Sequence, residues 1–282
     1  MISVVMTTYN GEQYVGEQIQ SIFRQTLLPD ELIVVDDGST DNTVNVISEL
    51  VKCAPPSINV SVTVNCNNIG YIRNFYVAIS KAKGDFIFLS DQDDIWEENK
   101  IETMIDVMTQ EKCMLLCSNF HIIDKNGSIV TNRNKYNINS FVEKAKTNYK
   151  TISLHRLIYG NVAQGCTYCF NKEIQNKYIE LNCNYIIHDK QLMFIAATMG
   201  NVGFLNRKLI RYRIHDMNSI GISTKKTVLN TGHKKIKKTP VMVRFLSDLN
   251  DVIHVPRNSY YKVLYYLRVP YIVFVLKRML KR

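Results

Sequence analysis

The sequence has no long apolar run: its longest C-terminal apolar stretch, Tyr271 to Leu276, is far too short to span a bilayer. A Gly-x-Gly-x-x-Gly fingerprint and a Gly-x-x-x-x-Gly-Lys-Ser/Thr loop are both missing, which removes a dinucleotide fold and a P-loop. No basic n-region precedes the apolar start Met1 to Met6, so no signal peptide is expected. There is no internal repeat, and tryptophan occurs once, at Trp96. Seven cysteines, an odd number, exclude a small disulfide scaffold and fit a reducing cytoplasm. Cys166-x-x-Cys169 with Cys113-x-x-x-Cys117 could formally make a four-thiolate zinc site. Both pairs lie in strand-like apolar surroundings, which favours buried free thiols.

What is present suffices for a full core: 282 residues, 46% hydrophobic, fit one large domain or one domain with a small appendage. The net charge of +10 is unevenly spread. From Met217 to Arg282 there are 14 Lys and Arg against two acids, Asp248 and Asp251, a net of +12; the remainder carries −2. The body is nearly neutral and the tail is basic, which points the tail at an anionic partner.

In the first half, strand patterns at 2–6, 31–36, 58–64, 86–90 and 113–118 alternate with helical patterns at about 12–25, 41–52, 71–82 and 97–111. Such alternation predicts βαβ units in a mostly parallel sheet with helices on both faces. Residues 128–150, rich in Asn and Lys, read as a loop or lid. A strand at 166–170, a helix at 188–199 and a strand pair near 202–213 complete a domain over 1–220. A basic linker is expected at 221–239, then a helical extension over 240–282.

Four strand ends carry polar residues suited to a nucleotide. They are Thr7-Thr8-Tyr9-Asn10-Gly11-Glu12, Asp36-Asp37-Gly38-Ser39-Thr40-Asp41, Asn65 to Asn68 with Gly70, and Ser90-Asp91-Gln92-Asp93-Asp94. Open α/β sheets hold ligands at this edge. Packed carboxylates repel unless a cation holds them, and hard oxygen ligands suit Mg²⁺ or Mn²⁺, so a metal-bound diphosphate is the first hypothesis. Each piece has a plainer explanation, as a turn or a helix cap. All four coinciding at one sheet edge favours the site.

These phrases, with Val4-Val5-Met6 before the first, Val34-Val35 before the second, Asn68-Ile69-Gly70, and Ile95-Trp96 after the acidic run, resemble glycosyltransferase family 2 over about residues 1–220. The form Ser-Asp-Gln-Asp-Asp-Ile-Trp looks most like the bacterial rhamnosyltransferase-like branch that builds surface polysaccharides. The resemblance implies a GT-A fold, Rossmann-like, and an inverting, metal-dependent enzyme using a nucleotide-diphosphate sugar. It implies that Asp37 accepts a hydrogen bond from N3–H of uracil or thymine, that Thr8, Tyr9 and Glu12 border the nucleoside, and that Asp91 meets the ribose. Asp93 would bind Mn²⁺ or Mg²⁺. Family members often show Arg-x-His-x-x-Asn where this chain has Arg213-Ile214-His215-Asp216-Met217-Asn218, so His215 could complete the metal site, and Arg213 could help hold the diphosphate; a lone His is otherwise more often structural. Arg73, opening the helix after Gly70, is a phosphate contact or a helix-surface cation.

An inverting transferase needs a general base for the acceptor hydroxyl. Asp189, in Ile186-Ile187-His188-Asp189, lies at the position where the family places that base; it is also suited to a helix start. Asp94 ranks next, and His188 could orient Asp189. The Gln-x-x-Arg-Trp motif of processive members is missing, which favours transfer of a single sugar.

Arg257 to Arg282 holds seven cations and no acids among tyrosines and aliphatics, a pattern suited to an anionic membrane surface. That placement, peripheral at the cytoplasmic face, suits a lipid-linked saccharide acceptor. Packing on the body and a homodimer contact are the alternatives. Nucleic acid is not expected, since no recognised module accompanies the charge. Two other functions compete: a non-catalytic nucleotide-sugar binder, which would not need Asp93 and Asp189, and a sugar nucleotidyltransferase, which would want an Arg- or Lys-bearing loop at Thr7 to Glu12.

Overall fold

The structure is a computed structural model that describes residues 1–132, 147–158, 162–215 and, further on, 244–245, 248–249 and 251–253. The chain begins β1 (Ile2–Thr8), α1 (Val15–Phe23), β2 (Glu31–Asp36), α2 (Thr43–Val51), β3 (Asn59–Val64), α3 (Tyr71–Lys81) and β4 (Phe86–Ser90). It continues through β5 (Ile95–Trp96), α4 (Lys100–Gln110), β6 (Cys113–Ile123), β7 (Tyr149–Thr151) and α5 (Leu154–Ile158). A 3₁₀ turn (Gly165–Thr167), β8 (Tyr168–Asn171), α6 (Lys172–Leu181), α7 (His188–Met199) and β9 (Asn201–Arg213) follow.

All these strands join one sheet in the order β3-β2-β1-β4-β8-β6-β9-β5, with β7 also paired to β9. β2 is buried from end to end and β1 over most of its length. Strands covered on both faces by helices have no solvent side, and so read as unbroken apolar runs. α1 buries Val15, Gln18, Ile19 and Ile22, a three-to-four spacing that turns one stripe onto the sheet. α6 starts at Asn171, whose side chain accepts the Ile174 N–H, and stops at Asn182 with φ +41°. Asparagine tolerates that left-handed conformation and ends helices for this reason.

β1 to β4 pair in parallel, as the alternating pattern predicts. The sheet as a whole is mixed: β8 runs antiparallel between β4 and β6, and β5 and β7 run antiparallel to β9. The expected strand pair near 202–213 is instead one 13-residue strand. Asn206, Arg207 and Lys208 interrupt the apolar run. They lie where the register against β6 shifts, a bulge that leaves polar residues outward without breaking the strand. β6 likewise runs on to Ile123. The stretch read as a loop ends in strand, since β7 opens at Tyr149, and 133–146 lies outside the described residues.

Part of the C-terminal extension packs on the body. Phe245 and Leu249 are buried, Phe245 meets the Phe194 ring edge-on at 5.9 Å, and Lys177 Nζ donates to the Val252 carbonyl at 3.1 Å. The expected linker at 221–239 and the segment 258–282 lie outside the described residues. No described helix is long and apolar enough to cross a membrane.

Candidate active site

A cleft of about 590 Å³ opens at the C-terminal ends of β1, β2 and β4. Its wall includes Thr8, Tyr9 and Glu12 after β1, Asp37 after β2, Asp91 and Asp93 after β4, Asp189 on α7, and His215 beyond β9. Parallel strands bring the first of these loops to one edge, and the long β9 carries His215 across to meet them. Arg73 is not among the lining residues. Its guanidinium donates to Asn182 Oδ1 at 3.0 Å and sits 4.6 Å from the centre of the Tyr76 ring.

The acidic run divides by direction. Asp93 faces the cleft, with its Oδ2 2.9 Å from His215 Nε2. Asp94 turns inward and is fully buried; its Oδ1 accepts the Arg213 N–H at 3.1 Å, while Oδ2 has no hydrogen-bond partner. Burial first, then the charges of Asp93 and Asp91, hold the Asp94 carboxyl well above its usual range. A group enclosed in this way cannot meet an acceptor hydroxyl, so Asp94 drops out as the second candidate base. Asp91 is pushed up to about 7 by desolvation and by the carboxylates of Asp93 and Asp189.

Arg213 is spent inside the protein. Nε donates to the Asp93 carbonyl at 2.8 Å, Nη1 to the Lys125 carbonyl at 3.3 Å, and Nη2 pairs with Glu17. Tyr14 covers the guanidinium at 4.6 Å, and the residue is only 1% exposed. It braces the acidic loop from behind and has no face toward a diphosphate.

The end of the cleft at β1 and β2 is tightly built. Asp37 accepts the Ile69 and Gly70 N–H groups, each at 2.9 Å, and Asn65 Nδ2 at 3.0 Å. Its carboxylate is thereby fixed as an acceptor at the cleft wall. Thr8 Oγ1 donates to Asp36 at 2.7 Å, and Glu12 accepts the Asn42 N–H at 2.8 Å. Gln92, unmarked in the sequence reading, joins two loops: Tyr9 N–H donates to its Oε1 at 2.7 Å, and its Nε2 donates back to the Tyr9 carbonyl at 3.0 Å. A Cβ on Gly11 would lie 2.4 Å from the same amide and would push it off the Tyr9 backbone.

In the same cleft, Asp189 Oδ2 accepts the Gly165 N–H at 3.0 Å, and Oδ1 lies 2.6 Å from His188 Nε2. The His188 ring stacks on Phe75 at 3.7 Å, and its buried Nδ1 has no hydrogen-bond partner.

Metal ligation fits these residues. Asp91, Asp94 and Cys166 place ligand atoms within 4.8 Å of one another, a cluster capable of holding an ion. Asp93 and His215 add an oxygen and an imidazole beside it. Crowded carboxylates with one orphaned oxygen are an arrangement that a divalent cation relieves.

A model of the family described as Glycosyl transferase family 2 matches residues 3–179. The chain belongs to glycosyl transferase family 2. Over 227 residues this glycosyltransferase is 31% identical to the dTDP-rhamnosyl transferase RfbG of Shigella flexneri, covering 77% of this chain and 73% of that protein. Over 129 residues it is 31% identical to the UDP-Glc:alpha-D-GlcNAc-diphosphoundecaprenol beta-1,3-glucosyltransferase WfgD of Escherichia coli, covering 46% of this chain and 49% of that one. The fold is similar to Staphylococcus aureus TarS 1-349 in complex with UDP-GlcNAc, with TM-score 0.64 at 18% identity, covering 93% of this chain and 70% of that chain. It is also similar to the mannosyltransferase PcManGT of Pyrobaculum calidifontis in complex with GDP-Man and Mn²⁺, with TM-score 0.52 at 14% identity, covering 73% and 54%. Family membership implies transfer of sugar from a nucleotide-sugar donor, on the GT-A fold expected from the sequence.

The raised Asp91 carboxyl yields a signed prediction. Between pH about 4 and about 7 the folded state keeps a proton that the unfolded chain has released, so the metal-free protein loses stability as pH rises through that window. Thermal scans in EDTA should show this loss, and Asp91→Asn should lessen it, leaving the part that belongs to Asp94. Equal slopes in the two proteins would mean that Asp91 is not held in its protonated form.

Proposed function

We propose that this glycosyltransferase moves a single sugar from a UDP- or dTDP-linked donor to a hydroxyl of a lipid-linked saccharide, with inversion, in assembly of a bacterial capsule, O-antigen or exopolysaccharide. The observation that carries the reading is the meeting of two sets of groups in one cleft, Asp93 with its partner His215 and the Asp189 carboxylate brought in by α7. The similarity to RfbG supports the rhamnosyltransferase-like branch and a dTDP-linked donor; the shorter match to WfgD supports a UDP-linked donor and a diphosphate-lipid acceptor.

In this reading Asp37 accepts N3–H of the pyrimidine, Thr8, Tyr9 and Glu12 border the nucleoside, and Asp91 meets the ribose. Asp93 and His215 hold Mn²⁺ or Mg²⁺, which when bound supplies Lewis-acid stabilisation of the leaving diphosphate. Asp189 takes the proton of the acceptor hydroxyl as that oxygen bonds to the anomeric carbon. The anomeric bond to the phosphate oxygen breaks on the opposite face, and the nucleoside diphosphate leaves with the electron pair. His188, through Nε2, keeps the Asp189 carboxylate turned into the cleft.

Asp189→Asn should therefore keep metal-dependent nucleotide binding and lose transfer by about 10²–10⁴-fold. Asp93→Ala should lose the metal-dependent part of binding itself. Near-full transfer by Asp189→Asn, measured with isotope-labelled donor, would remove it as the base.

We also assign residues 257–282 to the anionic, cytoplasmic surface of the cell membrane, on the strength of their seven cations and no acids. Deleting them should weaken binding to phosphatidylglycerol-containing vesicles in a sedimentation assay and spare transfer to a soluble acceptor. Unchanged vesicle binding would end that assignment.

A further inference from the structure

Lys100 opens α4 and is completely buried, an uncommon place for an ammonium group. Nζ donates to the Cys166 carbonyl at 2.9 Å and sits 3.5 Å from the centre of the Trp96 ring. Burial lowers its pKa to about 7, opposed by the attraction of Cys166, Asp94, Cys169 and Asp91. An apolar side chain of the same length would fill this space without a desolvation cost, so packing alone does not account for a lysine here.

The group it grips explains more. Cys166 lies in the 3₁₀ turn Gly165–Thr167, where two neighbouring carbonyls are also held: Gln164 accepts the Thr167 N–H at 3.0 Å, and Gly165 accepts the N–H of Tyr168. With those oxygens fixed, the Gly165 N–H is aimed at Asp189 Oδ2. The fit is close: a Cβ on Gly165 would lie 2.3 Å from Asp189 Oδ1 and 2.9 Å from His188 Nε2. The same Lys100 stands behind the acidic loop, where Trp96 N–H is anchored to Ser21 Oγ at 3.0 Å and Ile101 N–H to Gln25 Oε1 at 3.0 Å.

We propose that Lys100 is a positioning residue that ties the metal-binding loop Asp91–Trp96 to the Gly165–Thr167 turn, and through the Gly165 N–H sets the place of the Asp189 carboxylate. The inference rests on the reading of Asp189 as the base, and deepens it. Donor-side and acceptor-side groups are then held at one spacing by one buried cation, and the base lies where the bound donor needs it. A displacement of about 1 Å at such a point can cost on the order of 10²-fold in rate.

The test uses the full chain and variants Lys100→Met and Gly165→Ala, with Lys100→Gln in place of the first if Lys100→Met does not fold. In the metal-free protein, hydrogen exchange at the Gly165, Thr167 and Tyr168 amides should speed up by about tenfold or more in the Lys100 variant, while β1 and β2 keep their protection. With Mn²⁺ and dTDP-rhamnose or UDP-glucose, using water as acceptor, both variants should keep donor KM within about threefold and lose kcat by about 10- to 100-fold. The double variant should fall no further than the weaker single one, because the two residues act in one chain of contacts. Unchanged exchange and unchanged kcat in the Lys100 variant would overturn the proposal, as would multiplicative losses in the double variant. Asp189→Asn run alongside separates the two levels: if it still hydrolyses donor at full rate, the base assignment has failed, whatever Lys100 does.

Discussion

Mutual repulsion of the carboxylates at the end of β4 is the constraint that the rest of the molecule answers. Three aspartates in four positions cannot all be charged in a partly enclosed cleft without compensation. The fold supplies it from several directions: Arg213 braces the loop from behind, His215 meets Asp93 from the front, and Lys100 lies beneath Asp94 and Asp91. None of these groups is near the aspartates in sequence apart from Lys100. The length of β9 follows from this demand, since only a strand that runs on to Arg213 delivers both Arg213 and His215 to the acidic loop.

The second consequence is a division of labour among polar side chains. Asp36 and Arg213 are consumed in holding loops against one another, and are buried for that purpose. Asp37, Asp91, Asp93 and Asp189 keep a face on the cleft. Gln92 sits between the groups, because its amide closes on the Tyr9 backbone and locks the first loop to the acidic one. A binding protein needs the first side of this cleft alone. In the proposed reading, the Asp189 carboxylate held by the Gly165 N–H is what a transfer reaction adds.

Much of this was legible in the sequence, for a physical reason. Buried parallel strands are unbroken apolar runs, so β2 and β4 were read to the residue, and the polar groups at their ends stood out by contrast. The helix His188–Met199 was equally plain, since Asp189 falls in its first turn. What escaped depends on pairing across long separations. The antiparallel insertion of β8, the bulged continuity of β9 and the inward use of Arg213 are decided by register, which no local pattern records. Lys100 resembles any helix-surface lysine until the Trp96 ring and the Cys166 carbonyl are brought to it. Gly165 carries no signal at all: its role is the space that it leaves for Asp189.

The central claim is that the cleft binds a nucleoside diphosphate through a metal held at the acidic loop. The most direct measurement is the thermal shift of the purified chain with UDP, dTDP, GDP and CMP, each with Mn²⁺ or with EDTA. A ligand that binds only the folded state raises apparent stability by mass action. The account predicts a shift with UDP or dTDP that appears with Mn²⁺ and vanishes with EDTA, with GDP and CMP well behind. A shift that is the same with all four nucleotides, or one that survives EDTA undiminished, would contradict it.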